Sequence, residues 1–374
     1  QAVADGASKF SLDRNLAKNA VFIVDEASMI SNIPQEHSVF GSGYLLSDLI
    51  EYVSGGFNCK LIISGDTAQL PPVGLQVSPA LDKEELSLFG MEVIEKELKE
   101  VVRQSLDSGI LLNATAIRNR ILEDSPTGFW HLKMEKIQDV IQLGGDQLIE
   151  EISNSYNRTG MEETIVITRS NKRANLFNEG IRRTILYQED QISKGDLLMI
   201  VKNNYHWSKQ VEELDFIANG DIAEIIRIKK PEERYGFHFA NVVIRLIDYQ
   251  YLEIECKILL ETLSAEAPAL TPEENKRLFE AVSEDYEEIR NKRERWKKIR
   301  EDPYFNALQV KYSYAVTCHN AQGGQWKTVF LDHGYLTAEM IDREFLRWFY
   351  TAFTRAEEKL YLVNFHKDFF EPSV

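Results

Sequence analysis

The fold of this chain is first indicated by the stretch Val21-Phe22-Ile23-Val24-Asp25-Glu26, in which an apolar run ends in two adjacent carboxylates. The β-branched run predicts a strand buried in a parallel sheet. In open α/β sheets ligands bind at the carboxyl edge of the strands, where Asp25 and Glu26 would lie. An Asp there can hold Mg²⁺, and a Glu beside it can activate water against a phosphate. The alternative is an ordinary strand that ends in a solvated acidic pair.

A second apolar run, Lys60-Leu61-Ile62-Ile63-Ser64, is followed by Gly65-Asp66-Thr67-Ala68-Gln69 and then by Pro71 and Pro72. An Asp and a Gln placed at the end of a strand can sense a phosphate and pass its state to a neighbouring domain. The alternative is a strand-ending turn that the two prolines stiffen. Because this pattern follows the first carboxylate pair on the next predicted strand, the two patterns together are more specific than either alone.

The rest of the chain predicts an α/β fold with an inserted β-module. Strand and helix patterns alternate, with strands at residues 164–168, 328–331 and 360–363 and helices at residues 44–53 and 170–186. This alternation predicts fully buried parallel strands. Residues 195–260 differ, because apolar and polar side chains alternate there between turn residues. They predict half-buried antiparallel strands in a small β-barrel or meander.

A helical arm is predicted after the β-module. The sequence Thr271-Pro272-Glu273-Glu274 has the pattern of an N-cap with Pro at the first helical position. One helix is expected from there to about Arg300, and residues 290–300 carry the densest charge in the chain. One interpretation is an arm that holds the phosphates of a bound strand. The other is a solvated helix with ion pairs four residues apart, Glu288 with Lys292 and Glu294 with Lys298.

Composition and charge exclude several classes of protein. The chain has 374 residues, 43 basic and 59 acidic, for a formal net charge of −16. A hydrophobic fraction of 44% excludes general disorder. No apolar run approaches the ~20 residues of a membrane helix, and the N-terminus lacks a signal-peptide pattern. Three scattered cysteines argue against a disulfide framework. A cytoplasmic location is therefore expected. The acidic balance argues mildly against a protein coated in nucleic acid but permits a local basic channel.

Two arginines and one polar loop complete the candidate site. Arg103-Gln104 follows Leu98-Lys99-Glu100-Val101-Val102, and Arg355 precedes the last predicted strand. An isolated Arg is usually a surface or salt-bridge residue, but near a strand that ends in Asp-Glu it is the expected partner of phosphate charge. Residues 314–326 combine hydroxyl, imidazole and amide groups with the pair Gly323-Gly324. That combination suits contacts to a nucleic-acid backbone, and the alternative is a polar loop that ends in a Gly-Gly turn.

In this order the blocks resemble the motifs of superfamily 1B DNA helicases, of the RecD-like and phage Dda-like type. Asp25-Glu26 resembles motif II (Walker B), residues 65–74 motif III, Arg103-Gln104 motif IV, residues 317–325 motif V and residues 350–356 motif VI. The resemblance implies two RecA-like parallel-sheet domains, the first one incomplete, with an inserted SH3-like β-module and helical arm. The implied ranges are 1–13 for a hairpin remnant, 14–105 for the first RecA-like domain, 106–190 and 306–374 for the second, and 191–305 for the module with its arm.

The resemblance also implies ligands and residue roles. ATP and Mg²⁺ would lie between the RecA-like domains, and single-stranded DNA would cross both. The implied catalytic residues are Glu26 as the base, Gln69 as the γ-phosphate sensor, and Arg103 with Arg355 as stabilisers of transferred charge. The implied nucleotide contacts are Asp25, which would also hold Mg²⁺, Asp66, Gln104 and Gly323. The implied DNA contacts are Thr168, Asn171, Thr317, His319 and Gln322.

Two departures from the helicase pattern qualify this interpretation. None of the 20 glycines is followed by Lys, so the phosphate-binding loop of motif I is absent from the sequence. Asn320 stands where relatives often carry a basic residue. The prediction is therefore an ATP-dependent 5′–3′ DNA helicase whose N-terminal part is not in this chain, which alone would be inactive. The rival prediction is a non-catalytic nucleic-acid-binding or scaffold protein. A nuclease is a third class, but no cluster of three carboxylates with a Lys points to it.

Overall fold

Two parallel sheets and one closed barrel organise the chain. The computed structural model describes residues 11–34, 41–98, 108–123, 126–212 and 214–370. The first half of the chain contains β1 (Val21–Val24), α1 (Leu45–Ser54), β2 (Lys60–Ile63), α2 (Lys83–Ser87), α3 (Gly109–Ile121), β3 (Val140–Leu143), α4 (Leu148–Thr159), β4 (Thr164–Thr168) and α5 (Asn171–Thr184). The second half contains β5 (Leu197–Ile200), β6 (Ile222–Arg234), β7 (Phe237–Leu246), β8 (Leu252–Leu259), α6 (Pro272–Glu284), α7 (Lys292–Glu301), β9 (Leu308–Tyr312), β10 (Ala315–Thr317), α8 (Cys318–Ala321), β11 (Trp326–Asp332), α9 (Arg343–Phe353) and β12 (Ala356–Val363).

The first sheet consists of β1 and β2, which pair in parallel from Val21 opposite Lys60 to Val24 opposite Ile63. One face packs against α1 through a cluster that contains Leu46 and Ile50. The other face is open among the described residues, and Ile23 there is 70% exposed. The prediction of two fully buried strands was therefore wrong for β1 and β2. The apolar runs were correctly assigned as strands, but full burial requires layers on both faces.

The second sheet is parallel throughout, in the strand order β10-β4-β11-β12-β3. Its two faces are covered by two separate apolar clusters, one with α3 and α9 and the other with α4 and α5. Every residue of β4 is buried, as the prediction of a fully buried parallel strand requires. This sheet and the first one confirm the predicted α/β class.

The inserted module is a closed barrel of β5, β6, β7, β8 and β9. Neighbouring strands are antiparallel except β8 and β9, which pair in parallel. The prediction of a small β-barrel is confirmed, and the closed barrel fits the SH3-like module that the resemblance implied. Its last strand, Leu308–Tyr312, follows the range 191–305 that was assigned to the module with its arm.

The helical arm is two helices, so the prediction of one continuous helix was wrong. The predicted start is observed, because the Thr271 hydroxyl accepts a hydrogen bond from the amide of Glu274 (3.2 Å) and the Glu274 carboxylate accepts one from the amide of Thr271 (2.9 Å). The first helix ends at Glu284, and the next residue, Asp285, accepts a hydrogen bond from the Tyr235 hydroxyl (2.6 Å). A new N-cap, Asn291, then starts α7. No helix in the described part of the chain has the length and apolar content needed to cross a membrane.

Candidate nucleotide and nucleic-acid site

The predicted carboxylate pair lies at the carboxyl end of β1 and is exposed. The Asp25 carboxylate accepts a hydrogen bond from the Glu26 amide (2.9 Å). Glu26 has a left-handed φ of 51°, and the next amide, that of Ala27, donates to the Ser64 carbonyl (2.9 Å). This turn points the chain back over the end of β2 and leaves both carboxylates facing solvent. Such a pair fits a hydrated Mg²⁺ that takes its other ligands from water and phosphate.

A three-residue polar cluster ties the loop after β2 to the second sheet unit. The Asp66 carboxylate forms an ion pair with Arg118 of α3 and accepts a hydrogen bond from the Tyr350 hydroxyl of α9 (2.8 Å). Burial and the nearby Asp66 charge raise the pKa of Tyr350 to about 12. Desolvation alone would lower the pKa of Arg118, but Asp66 and Tyr350 outweigh it and raise that pKa. Asp66, predicted to contact nucleotide, is thus engaged by two side chains of the second unit.

Gln322 connects the polar loop after β10 with both loops of the first sheet. Its amide nitrogen donates to the Ser28 hydroxyl (2.9 Å) and to the Gln69 side-chain oxygen (3.1 Å). The predicted phosphate sensor Gln69 and the predicted DNA contact Gln322 are therefore direct neighbours.

Helix α9 supplies further contacts across the same boundary. The amide of Leu70 donates to the hydroxyl of Thr351 (2.9 Å), and both residues are buried. Arg347, only 7% exposed, donates to the carbonyl of Gln76. The loop after β2 is therefore held along its length by one helix of the second unit.

Of the two predicted arginines, the structure describes only Arg355. Arg103 lies outside the described residues, and so does its neighbour Gln104. Arg355 is 3% exposed, and its guanidinium donates to the carbonyls of Thr351 (2.9 Å) and Gly324 (3.1 Å) and to the Thr354 hydroxyl (3.1 Å). In this arrangement Arg355 fixes the join between α9 and the loop that contains Gly323, which is exposed with a φ of +83°.

The predicted DNA contacts gather at the carboxyl end of the second sheet, but not all of them face solvent. The strand register places Thr317 and Asp332 opposite Thr168. The Thr168 side chain is buried and donates to the Ser170 carbonyl (3.0 Å), so it points into the protein. His319 is exposed, and Asn171 and Thr317 are half-buried.

Sequence reasoning missed several residues of this region. Arg169 is exposed beside Thr168, and its guanidinium lies 5.4 Å from the ring centre of Phe345 and 5.7 Å from that of Trp348. Ser28, Arg118 and the polar residues of α9 were also not singled out. The sequence signal for α9 was its strongly amphipathic pattern over Arg343–Phe353, whereas an isolated Arg118 gives no signal before its partner Asp66 is located in space.

Two parallel-sheet units that meet along polar strand-end loops, with a closed barrel inserted in the second, form a RecA-like helicase fold. Residues 312–363 match the family of UvrD-like helicase C-terminal domains. This match agrees with the helicase resemblance that the sequence motifs indicated.

Individual relatives are distant. The uncharacterized protein R530 of Acanthamoeba polyphaga mimivirus is 25% identical over 402 residues, which cover 93% of this chain and 75% of that protein. Among solved structures, the Pif1 helicase from Bacteroides in complex with ADP-AlF3 and single-stranded DNA is 12% identical, with 94% of this chain and 72% of that chain covered and a TM-score of 0.46. The Pif1 helicase from Candida albicans is 14% identical, with 94% and 73% covered and a TM-score of 0.47.

Proposed function

We propose that this chain is the greater part of an ATP-dependent DNA helicase of the RecD-like type, which moves 5′ to 3′ along single strands in the cytoplasm. The observation that supports this most directly is the hydrogen bond from Gln322 to Gln69 (3.1 Å). It joins strand-end loops of two parallel sheets, and such loops are where α/β proteins bind ligands. A nucleotide held between these loops would contact both units, so its binding and loss would alter how the units meet.

Each side chain at the nucleotide site has a proposed task. Asp25 holds Mg²⁺, which when bound neutralises phosphate charge, and Glu26 accepts the proton of the attacking water. Gln69 contacts the γ-phosphate and reports its presence to Gln322. Arg103 and Arg355 balance the charge that develops during transfer. Asp66, Gln104 and Gly323 complete the nucleotide contacts.

Arg355 needs a further step for this role. In the folded chain its donors are used by two main-chain carbonyls and a hydroxyl. We propose that nucleotide binding rearranges the join between α9 and the loop that contains Gly323, which releases at least one of these donors toward phosphate.

Single-stranded DNA is proposed to cross the carboxyl end of the second sheet. Asn171, Thr317 and His319 offer amide, hydroxyl and imidazole groups there, which suit contacts to the sugar-phosphate backbone. Thr168 is buried and its hydroxyl is used internally, so it supports this edge rather than contacting the DNA. We propose that Gln322 connects this edge of the sheet with the nucleotide loops and does not itself contact the DNA strand.

This chain by itself is expected to hydrolyse ATP negligibly. The β- and γ-phosphates need the main-chain amides and the Lys of a phosphate-binding loop, and no Gly-Lys pair occurs in the sequence. The test compares ATP hydrolysis by the purified 374-residue chain with hydrolysis by the protein as encoded, including any sequence before Gln1, each with and without an oligothymidylate. DNA-stimulated hydrolysis by the encoded protein alone supports the proposal, and robust hydrolysis by the 374-residue chain contradicts it.

A non-catalytic nucleic-acid-binding protein with this fold is the second candidate. The burial of Arg355 and the absence of a Gly-Lys pair both favour it. The same experiment separates the two functions, because a binding protein would retain oligothymidylate and show no DNA-stimulated hydrolysis in either form.

A further inference from the structure

Helix α7 carries a strip of exposed positive charge that the proposed nucleotide and DNA sites do not use. Five cationic side chains of α7 are exposed, namely Lys292, Arg293, Lys297, Lys298 and Arg300, and the exposed Arg290 lies just before the helix. The chain as a whole has a net charge of −16. A concentration of cations on one short helix is therefore the reverse of the average surface.

Neighbouring acids do not neutralise this strip. The helix breaks after Glu284 and restarts at Lys292, so Glu288 and Lys292 do not belong to one helix, and the described residues do not form the predicted pair. The described residues do form ion pairs at this spacing elsewhere, Glu179 with Arg183 (2.9 Å) and Lys276 with Glu280 (4.0 Å). In the described part of the chain, neither Glu294 nor Lys298 forms an ion pair within 4.0 Å. The interpretation of a helix covered by its own ion pairs is not supported.

The strip is held in a fixed orientation. Trp296 stacks on Phe279 of α6 with ring centres 5.2 Å apart, and Ile299 is 3% exposed in the cluster beneath. At 3.6 residues per turn, Arg293, Lys297 and Arg300 then fall on one outward row beside that buried edge. The row spans about 10 Å along the helix, at a rise of 1.5 Å per residue.

We infer that the row Arg293, Lys297 and Arg300 binds the phosphate backbone of single-stranded DNA, as a contact additional to the second-sheet edge. This inference rests on the proposed function. A polyanion approaching an acidic protein is repelled except where cations are concentrated, and this row offers three of them. The hydrophobic anchors reduce the conformational entropy lost when the row binds, because the helix is already placed.

The test measures binding of a fluorescein-labelled oligothymidylate to the full chain across a salt series. The variant Arg293→Ala, Lys297→Ala, Arg300→Ala removes the row, and Ala preserves helix propensity. Loss of three single-strand contacts should make the slope of log K against log[salt] shallower by about two units and weaken binding on the order of 100-fold at ~0.1 M salt. A Gln triple at the same positions guards against an effect of shortened side chains, and thermal unfolding of each variant confirms the fold.

The matched control is Lys83→Ala, Lys96→Ala, Lys367→Ala, which changes the net charge equally at exposed positions outside the arm. The inference requires the α7 triple to weaken binding and flatten the slope while the control does not. Equal behaviour of the two triples overturns the inference and leaves the proposed function standing. Absence of oligothymidylate binding by the unaltered chain overturns the proposed function itself. If polyglutamate displaced the labelled oligothymidylate as well as unlabelled oligothymidylate does, the row would bind any polyanion, and the inference would also be overturned.

Discussion

Gln322 donates to the side-chain oxygen of Gln69 at 3.1 Å and to the hydroxyl of Ser28 at 2.9 Å. One side chain of the second sheet unit thus contacts both loops that leave the first sheet. Ser28 follows the exposed carboxylates Asp25 and Glu26, and Gln69 lies three residues after Asp66. The amide of Gln322 is therefore a direct link between the proposed nucleotide loops and the loop after β10.

Replacing Gln322 should uncouple hydrolysis from DNA. In the encoded protein Gln322→Ala removes both hydrogen bonds, so the stimulation of ATP hydrolysis by DNA should fall about tenfold, equivalent to ~1.4 kcal/mol of coupling. Oligothymidylate affinity should change less than about threefold, on the order of 0.6 kcal/mol. Gln142→Ala, at an exposed position of β3, is the control. A large loss of affinity with stimulation intact would instead place Gln322 on the DNA.

Removing the proposed base should separate ATP binding from turnover. In the encoded protein Glu26→Gln preserves shape but cannot accept a proton at neutral pH, so turnover should fall at least ~10²-fold while a fluorescent ATP analogue still binds. Glu51→Gln, on the exposed face of α1, should leave both properties unchanged. Turnover within a few-fold of the unaltered protein would show that Glu26 belongs to a merely solvated acidic pair.

Arg355→Ala should reduce stability as well as rate. Its buried guanidinium satisfies two carbonyls and a hydroxyl, so its loss should lower the free energy of unfolding by about 2–4 kcal/mol in urea titrations of this chain. If it also balances phosphate charge, kcat of the encoded protein should fall ~10³-fold at a temperature where the variant is fully folded. Arg14→Ala, at an exposed position, is the control. A folded variant with nearly normal kcat would make Arg355 purely structural.

The free energy of unfolding should decrease at acidic pH because of His333. This side chain is 4% exposed with its ring centre 4.4 Å from that of Phe365, and burial lowers the pKa of His333 to about 4. The free energy of unfolding that His333 contributes is fully present above its unfolded-state pKa of ~6.5. It is lost as pH falls from there through about 4, and the total loss is at most about 3 kcal/mol.

His333→Phe should flatten this acid dependence, measured as the urea midpoint between neutral and acidic pH. His131→Gln, at an exposed position, should leave the dependence as it is in the unaltered chain. If the two variants show the same dependence, the burial of His333 does not control acid stability.

The strands, the barrel and the start of the arm were predictable because their signals are local. β-branched runs define the parallel strands, alternation defines the barrel, and a Thr three residues before a Glu defines the cap at Thr271. The break in the arm was not predictable, because Asp285 is held by Arg234 and Tyr235, which lie about 50 residues earlier in the chain. A charge-rich helix pattern contains no information about such distant partners.

The candidate site was predictable as a set of loops but not as a set of contacts. The apolar run before them correctly placed Asp25 and Glu26 side by side at a strand end, and the structure shows that both are exposed. It could not show that Thr168 points inward, since side-chain direction at a strand end depends on the neighbouring strand. It also gave no sign of Arg118, whose importance depends on the position of Asp66 in the folded protein. The roles of Arg103 and Gln104 stay predictions.

Helix α9 holds the first sheet unit by Arg347, Tyr350 and Thr351 while its apolar face lies in the core of the second. Hydrogen bonds to this one helix therefore join the two units, and full separation of the units would leave Arg347, Tyr350 and the amide of Leu70 without these acceptors. On heating, loss of α9 would remove the support of both units together. Calorimetry of this chain should accordingly record one cooperative transition for the two sheets, in which the boundary between them melts no earlier than their cores.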